Sequence, residues 1–502
     1  NDNLALGLKG ISHSISVMNA RAISFIEAMG YFTQSFESKY EGSNPVADSL
    51  LGIKYVLDDP DRSSSTKMLD SSYIKRFSTT YKKDDDVTAN VDIYENPNAL
   101  SIGYMVDAGV ARLTGVGNDN PFNSLNNILS AMTGNTDLSQ NPLQPKQYYV
   151  QIPVEVSYDN TKVHLHDYLN DPNNDGDPMH QHDCFEAYPD AGDAVVNVHL
   201  TVPQTGEFYM HLGSEVRKAC NVWVSDTKDE NGNFFGHEAY GTYFNTNSSP
   251  IVRIGPYNEG TEVEVRLTIQ ASGPNGRYLG QNEYLMVRKI SGFNFYYLDK
   301  DAFEQDINLI KQSQWQIDTD KSNDRYLEGK ITARQGQIMM TSIPYEPGWE
   351  IEVDGKKIDN LVVEKNYENS DKTYLTNKSG SEGEIVIVGS LIGIRLPEGE
   401  HTVTMKYTPP GFRLGAVAFF IGIACIVLLY LYDRKHNPVI KKRLEAKKRK
   451  KLGLPEETEE EASDKKKKNV QIIKSKGAVK GDVSENAKKK AQKAREEAEE
   501  IA

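Results

Sequence analysis

The run Asp171-Pro172-Asn173-Asn174-Asp175-Gly176-Asp177 follows the first half of a calcium-binding loop. Such loops set oxygen ligands at alternate positions, here Asp171, Asn173, Asp175 and Asp177, and need a glycine where the chain turns sharply. The twelfth position, where a bidentate glutamate closes the shell, is His182. Two readings stand: a calcium site completed in another way, and an Asx-rich surface loop. His180, His182 and Cys184 lie beside it, with His164 and His166 upstream. Their alternate spacing aims imidazoles toward one zinc or copper ion if the segments pair as strands. The competing reading is a set of solvated loop histidines.

A second group consists of aromatics. Tyr296, Tyr297, Tyr345 and Trp349 offer flat apolar faces that suit the C–H surface of a sugar ring, although the favoured reading of Trp349 is that it packs inside at the base of its own hairpin. The sequence holds no Gly-rich phosphate loop, no nucleophile elbow and no HExxH pattern. Acidic pairs such as Glu350 and Glu352 are so common at this composition that choosing two for glycosidase chemistry is arbitrary. No catalytic residue is assigned.

These groups must be positioned by a chain too long for one core, which argues for two or three domains. Residues 1–145 mix periodicities: Ala20 to Met29, Val46 to Leu51 and Asn123 to Met132 read as amphipathic helices, and Ile53 to Leu57 as a strand stopped at Asp58-Asp59-Pro60. From Gln147 onward short strands alternate with turns, the pattern of a β-sandwich of jelly-roll or immunoglobulin-like kind over residues 146–410, interrupted by a helix from Ala302 to Ser313. The expected class is α+β, a small α/β unit followed by the sandwich. Asp354-Gly355 supplies the positive φ angles of a tight hairpin turn between Trp349-Glu350-Ile351-Glu352-Val353 and Lys356-Lys357-Ile358. A later strand points Val403, Met405 and Tyr407 inward and runs on through Pro409-Pro410-Gly411.

Leu414 to Leu431 carries no charge over eighteen residues, about 27 Å of helix, enough to cross a bilayer core. The transmembrane helix is therefore placed at 414–432. Ten Lys or Arg lie in residues 433–451 against three in 395–413. The positive-inside rule then puts residues 1–413 outside the cytoplasm and 433–502 inside. Net charge divides the same way, +8 for residues 433–502 and -22 for the rest, so an anionic body argues against a nucleic-acid partner. The tail, with basic and acidic blocks and few apolar residues, is expected to be disordered, its basic start touching anionic lipid head groups. Of three cysteines, Cys184 and Cys220 are the one pair available outside the span, and nothing in the sequence shows that they meet.

Several segments resemble the C-terminal part of the YfhO family of bacterial membrane proteins. They are Ile343-Pro344-Tyr345-Glu346-Pro347-Gly348-Trp349, Val353-Asp354-Gly355-Lys356, Leu396-Pro397-Glu398-Gly399-Glu400-His401 and Tyr407-Thr408-Pro409-Pro410-Gly411-Phe412. Earlier ones are Gly10-Ile11-Ser12, Leu51-Gly52-Ile53-Lys54-Tyr55-Val56 and Tyr94-Glu95-Asn96-Pro97-Asn98-Ala99-Leu100. The resemblance covers residues 1 to about 435, and its motifs are fairly specific in order and spacing. It implies a GT-C type glycosyltransferase: many N-terminal membrane helices, a large outer domain and one last helix. It further implies transfer of a sugar from polyprenyl phosphate to a cell-envelope polymer, lipoteichoic acid being suggested for some members, with this region positioning the acceptor. The acidic residue such enzymes use belongs to the multi-span half, so no catalytic position carries over. The tail from Lys441 and the segment 171–184 look like additions. The alternative is a single-span surface protein whose sandwich binds glycan or protein without catalysis.

Overall fold

The computed structural model describes residues 10–14, 19–34, 37–40, 44–60, 69–84, 87–113, 120–136, 144–166, 184–187, 194–212, 220–243, 250–269, 283–285, 293–358, 362–365, 373–376, 384–453 and 464. They fall into two compact units, 1–409 and 410–502. The class is α+β, with antiparallel sheets and one apolar helix near the C-terminus.

Two β-sandwiches make up most of the first unit. In the first, a five-stranded sheet runs in the order Glu238–Tyr243, Cys220–Ser225, Glu262–Ile269, Ala194–Thr201, Glu155–Tyr158. Its partner runs Val252–Tyr257, Gly206–Leu212, Phe293–Leu298, Tyr149–Gln151. The strand Ala194–Thr201 of the five-stranded sheet alternates between buried and less buried residues because the sandwich core covers one of its faces. Val196, Val198 and Leu200 sit opposite Leu267, Val265 and Val263 on the buried side, while Asn197 and His199 oppose Arg266 and Glu264 on the outer side.

The second sandwich repeats the plan. A five-stranded sheet runs Gln316–Ile317, Tyr326–Ala333, Gly399–Tyr407, Trp349–Val353, Lys356–Ile358. A four-stranded sheet runs Ile385–Val388, Leu391–Arg395, Gln337–Pro344, Gly103–Asp107. Its last strand comes from the N-terminal part of the chain. Val403 and Met405 are fully buried as the alternation requires, and Tyr407 is half-buried. The hairpin turn forms as read, with Asp354 at φ 51° and Gly355 at φ 74°. Asp354 tolerates the left-handed conformation because its carboxylate accepts from Thr402 N at 2.9 Å and pairs with His401 Nδ1 at 2.8 Å.

Both four-stranded sheets are buried on both faces. Phe208, Met210 and Phe295 point into the first sandwich, while Tyr209, Tyr296 and Leu298 point the other way. In the second, Met105, Met339 and Ile394 point inward, and Tyr104, Val106, Ile338 and Met340 outward. The outward faces share one core with helices Ala20–Ala28, Pro45–Leu50, Pro121–Met132 and Lys300–Lys311, through Phe25, Val46, Leu50, Phe122, Leu125, Leu129, Phe303 and Ile307. A helical layer thus lies between two sandwiches, and this middle core draws on residues either side of 145. Strands covered on both faces lose their alternation, which is why Phe293-Asn294-Phe295-Tyr296 and Ile338-Met339-Met340 read as continuous buried runs.

In the second unit, the helix Phe412–His436 has a mean hydropathy of 2.7 over its best window and no buried residue. It extends the apolar stretch by two residues upstream and through Asp433-Arg434-Lys435-His436 downstream. A further helix, Pro438–Lys451, follows.

Candidate functional site

The structure brings Tyr345 and Trp349 together on the second sandwich. The segment between strands Gln337–Pro344 and Trp349–Val353 turns tightly, with Trp349 N donating to Glu346 O at 3.2 Å and Tyr345 N to Ser390 O at 2.7 Å. Trp349 pairs with Tyr407 across the sheet, and their rings sit 5.1 Å apart at 49°. Tyr407 Oη donates to Glu346 Oε2 at 2.7 Å. Asn19 Nδ2 donates to Tyr345 O at 3.2 Å, and its Oδ1 accepts from Arg21 N and Ala22 N, capping the helix Ala20–Ala28. Tyr345, Trp349 and Tyr407 are each half-buried, one side of Tyr345 and Trp349 resting on the sandwich core.

The hydrogen bond to Glu346, with some help from burial, pushes the Tyr407 hydroxyl up to about 12, and burial raises that of Tyr345. Both remain donors at neutral pH. The cluster offers aromatic faces and one carboxylate fixed in place, which is equipment for holding a polyol and contains no nucleophile–base pair. Gly348 makes this packing possible: a Cβ there would lie 2.4 Å from Thr408 O and 2.6 Å from the Tyr407 ring. Gly348→Ala is expected to lower stability by about 1–3 kcal/mol through forced displacement of the Tyr407 strand, measured as a lower unfolding midpoint. An unchanged midpoint would contradict it.

The other two aromatics lie in the first sandwich. Tyr296 is buried, its ring stacked on Phe122 at 4.1 Å and its hydroxyl accepting from Asn120 Nδ2 at 2.9 Å, so it presents no face to a ligand. Tyr297 points to the opposite side, half-buried near Phe208. Adjacent strand residues cannot share a face.

Asp171, Asn173, Asp175, Asp177, His180 and His182 lie outside the described residues. The flanking strands Val163–His166 and Cys184–Ala187 do pair, with His166 opposite Cys184 and His164 opposite Glu186. Among the described residues no group of three or more His, Cys, Asp or Glu is placed to hold a metal.

A second cluster, unsuspected from spacing, is buried against the helical layer. Asp48, in the first turn of helix Pro45–Leu50, is fully buried. Its carboxylate accepts from the hydroxyls of Tyr31 and Tyr73, from Tyr40 Oη at 2.8 Å and from Asn44 N at 3.3 Å. Asn44 Oδ1 in turn accepts from Tyr149 Oη at 2.9 Å. Nearby, Asp70 accepts from the Tyr209 hydroxyl and from Ser72 N at 2.8 Å. Glu207 holds Arg253 through Nε at 2.6 Å and a second bond at 3.1 Å, and accepts from Ser71 N at 3.2 Å.

Burial pushes Asp48 up to about 6, against the opposing pull of its tyrosine donors. Burial and then the charge of Glu207 raise Asp70. The tyrosines are driven far upward, chiefly by burial, and stay protonated. The cluster can store a proton near neutrality, but Asp48 is out of reach of any substrate. Its one sequence signal is an aspartate set among Val46, Ala47 and Leu50 in a short helical run.

A sequence model of the family described as "Bacterial membrane protein YfhO" matches residues 1–419. The "Uncharacterized protein YfhO" of Bacillus subtilis (strain 168) is 23% identical over 141 residues, covering 27% of this chain and 13% of that protein. The match thus spans only a small part of that relative's length. Among solved structures, a GH2 beta-galacturonidase from Eisenbergiella tayi bound to galacturonate aligns at 11% identity over 52% of this chain and 38% of its own, with a TM-score of 0.16. The CBM32-1 and CBM32-2 domains of Clostridium perfringens ZmpB in complex with GalNAc align at 9% identity over 52% of this chain and 88% of theirs, with a TM-score of 0.20. At such scores neither likeness bears on fold or ligand. The family match covers most of the chain and includes the start of its apolar helix: this chain belongs to the YfhO family of bacterial membrane proteins.

Proposed function

We propose that this chain is the outer portion and last span of a GT-C type glycosyltransferase that moves a sugar from polyprenyl phosphate to a cell-envelope polymer such as lipoteichoic acid. Residues 1–413 lie outside the cytoplasm and 433–502 within it. The chain's own task is to hold the acceptor. One observation carries this reading: the Trp349–Tyr407–Glu346 cluster includes Tyr407, the last residue of its strand, and the apolar helix begins only five residues later in sequence, at Phe412. A sugar-binding face there is close along the chain to where a lipid-linked donor would be used.

In the full-length protein, Trp349→Ala is expected to raise the KM for acceptor polymer about tenfold, as loss of an aromatic contact worth about 1–1.5 kcal/mol predicts, with the KM for the lipid-linked sugar unchanged. An equal loss for both substrates, or none, would refute the assignment. The 502-residue chain alone is expected to transfer no sugar.

A further inference from the structure

The helix Pro438–Lys451 carries eight Lys or Arg and one acidic residue, Glu445. None of its residues is buried. Fourteen residues are barely enough for a helix to persist alone in water, and like charges four apart, Arg443 with Lys447 and Lys447 with Lys451, oppose it further. Eight cations against one carboxylate make an anionic surface a favourable neighbour for this helix.

Its start is built with care. The span ends where Asn437, in extended backbone at ψ 117°, donates N to Asp433 O at 2.7 Å and Nδ2 to Asp433 Oδ1 at 3.0 Å. The Oδ1 of the same side chain accepts from Val439 N at 3.0 Å, capping the next helix. Pro438 has no N–H with which to continue the span's hydrogen-bond ladder. One residue therefore closes one helix and opens the other, and the axis is broken between them.

Beyond the corner, Ile440, Leu444, Lys447 and Lys451 recur at i, i+4, i+7 and i+11, one face that is apolar near the span and lysine-tipped further on. Lysine stems can lie along an apolar boundary with their charges turned to head groups. We infer that Pro438–Lys451 is a membrane-surface helix that binds the anionic lipid head groups of the leaflet at the C-terminal end of the span, and that Asn437-Pro438 is the corner that sets it there. The inference stands apart from the sugar-transfer reading and needs only the span.

The test uses the whole 502-residue chain in lipid nanodiscs, reading hydrogen exchange of peptides covering residues 438–451. Exchange should slow about tenfold when phosphatidylglycerol is mixed into phosphatidylcholine, and the slowing should vanish in high salt, where surface attraction is screened. The Lys447→Glu, Lys448→Glu, Arg449→Glu variant should lose it, and Pro438→Ala should weaken it while leaving the span's own protection intact. Equal exchange in both lipid mixtures, or protection insensitive to salt, would overturn the lipid assignment. Full slowing in Pro438→Ala would overturn the role of the corner.

Discussion

Asp48→Ala is expected to lower the unfolding free energy of the first unit by about 3–5 kcal/mol. Three tyrosine hydroxyls and the Asn44 N–H converge on that carboxylate in a site without solvent. Each buried donor left without its acceptor costs about 1–3 kcal/mol, only partly recovered by rearrangement. Asp48→Asn keeps the shape and should cost much less. The two variants also separate packing from charge. The folded pKa of about 6 lies above the ordinary 3.8, so the native state holds its proton where the unfolded chain has lost it. The group's contribution is full below pH about 4, falls as pH rises toward 6, and is flat above. The difference between 3.8 and about 6 amounts to about 3 kcal/mol. The stability of the native protein relative to Asp48→Asn should decline by about that much between pH 4 and 6.5 in denaturant titrations. A difference that does not change with pH would show that Asp48 is ionised throughout.

A comparable loss, about 3–5 kcal/mol, is expected for Arg253→Met. The guanidinium is buried and makes two bonds to Glu207, and Asp70 lies close enough to feel that carboxylate. Removing one partner of a buried pair leaves the other charge in a poor dielectric, whereas removing both together is far milder. Glu207→Gln combined with Arg253→Met should therefore recover much of the loss, a coupling that a double-mutant cycle reads directly. Arg253→Lys should recover little, since an ammonium cannot reproduce the two-bond fork. A loss below about 1 kcal/mol for Arg253→Met would mean that water reaches Glu207.

The sequence made these features visible to different degrees. The apolar helix was plain because eighteen uncharged residues have few other uses, and the Asp354-Gly355 turn was plain because positive φ leaves few residue choices. The sandwich class followed from alternation in the five-stranded sheets. What alternation does not carry is partnership: Gly103–Asp107 pairs with Gln337–Pro344, far along the chain, and no local pattern announces it. The double burial of Tyr209 and Phe208 on opposite faces likewise erased the very signal that would have separated two sandwiches from one. At the sugar-binding candidate, Trp349 and Tyr345 were legible as aromatics, but Glu346 and Asn19 entered only through contacts. Tyr296 was misleading because its sheet is covered on both faces, so a tyrosine on either side of that strand meets a core. The Asp48 cluster is not legible in the sequence because its three donors, Tyr31, Tyr40 and Tyr73, come from three separate segments.

The borrowed strand Gly103–Asp107 also fixes a timetable. A ribosome that has reached residue 300 of this sequence has made Tyr104 and Val106 but not Ile338 and Met340, which must lie beside them. Until those arrive, the nascent chain carries an open sheet edge and an uncovered greasy surface, the kind of intermediate that chaperones retain and quality-control proteases cut.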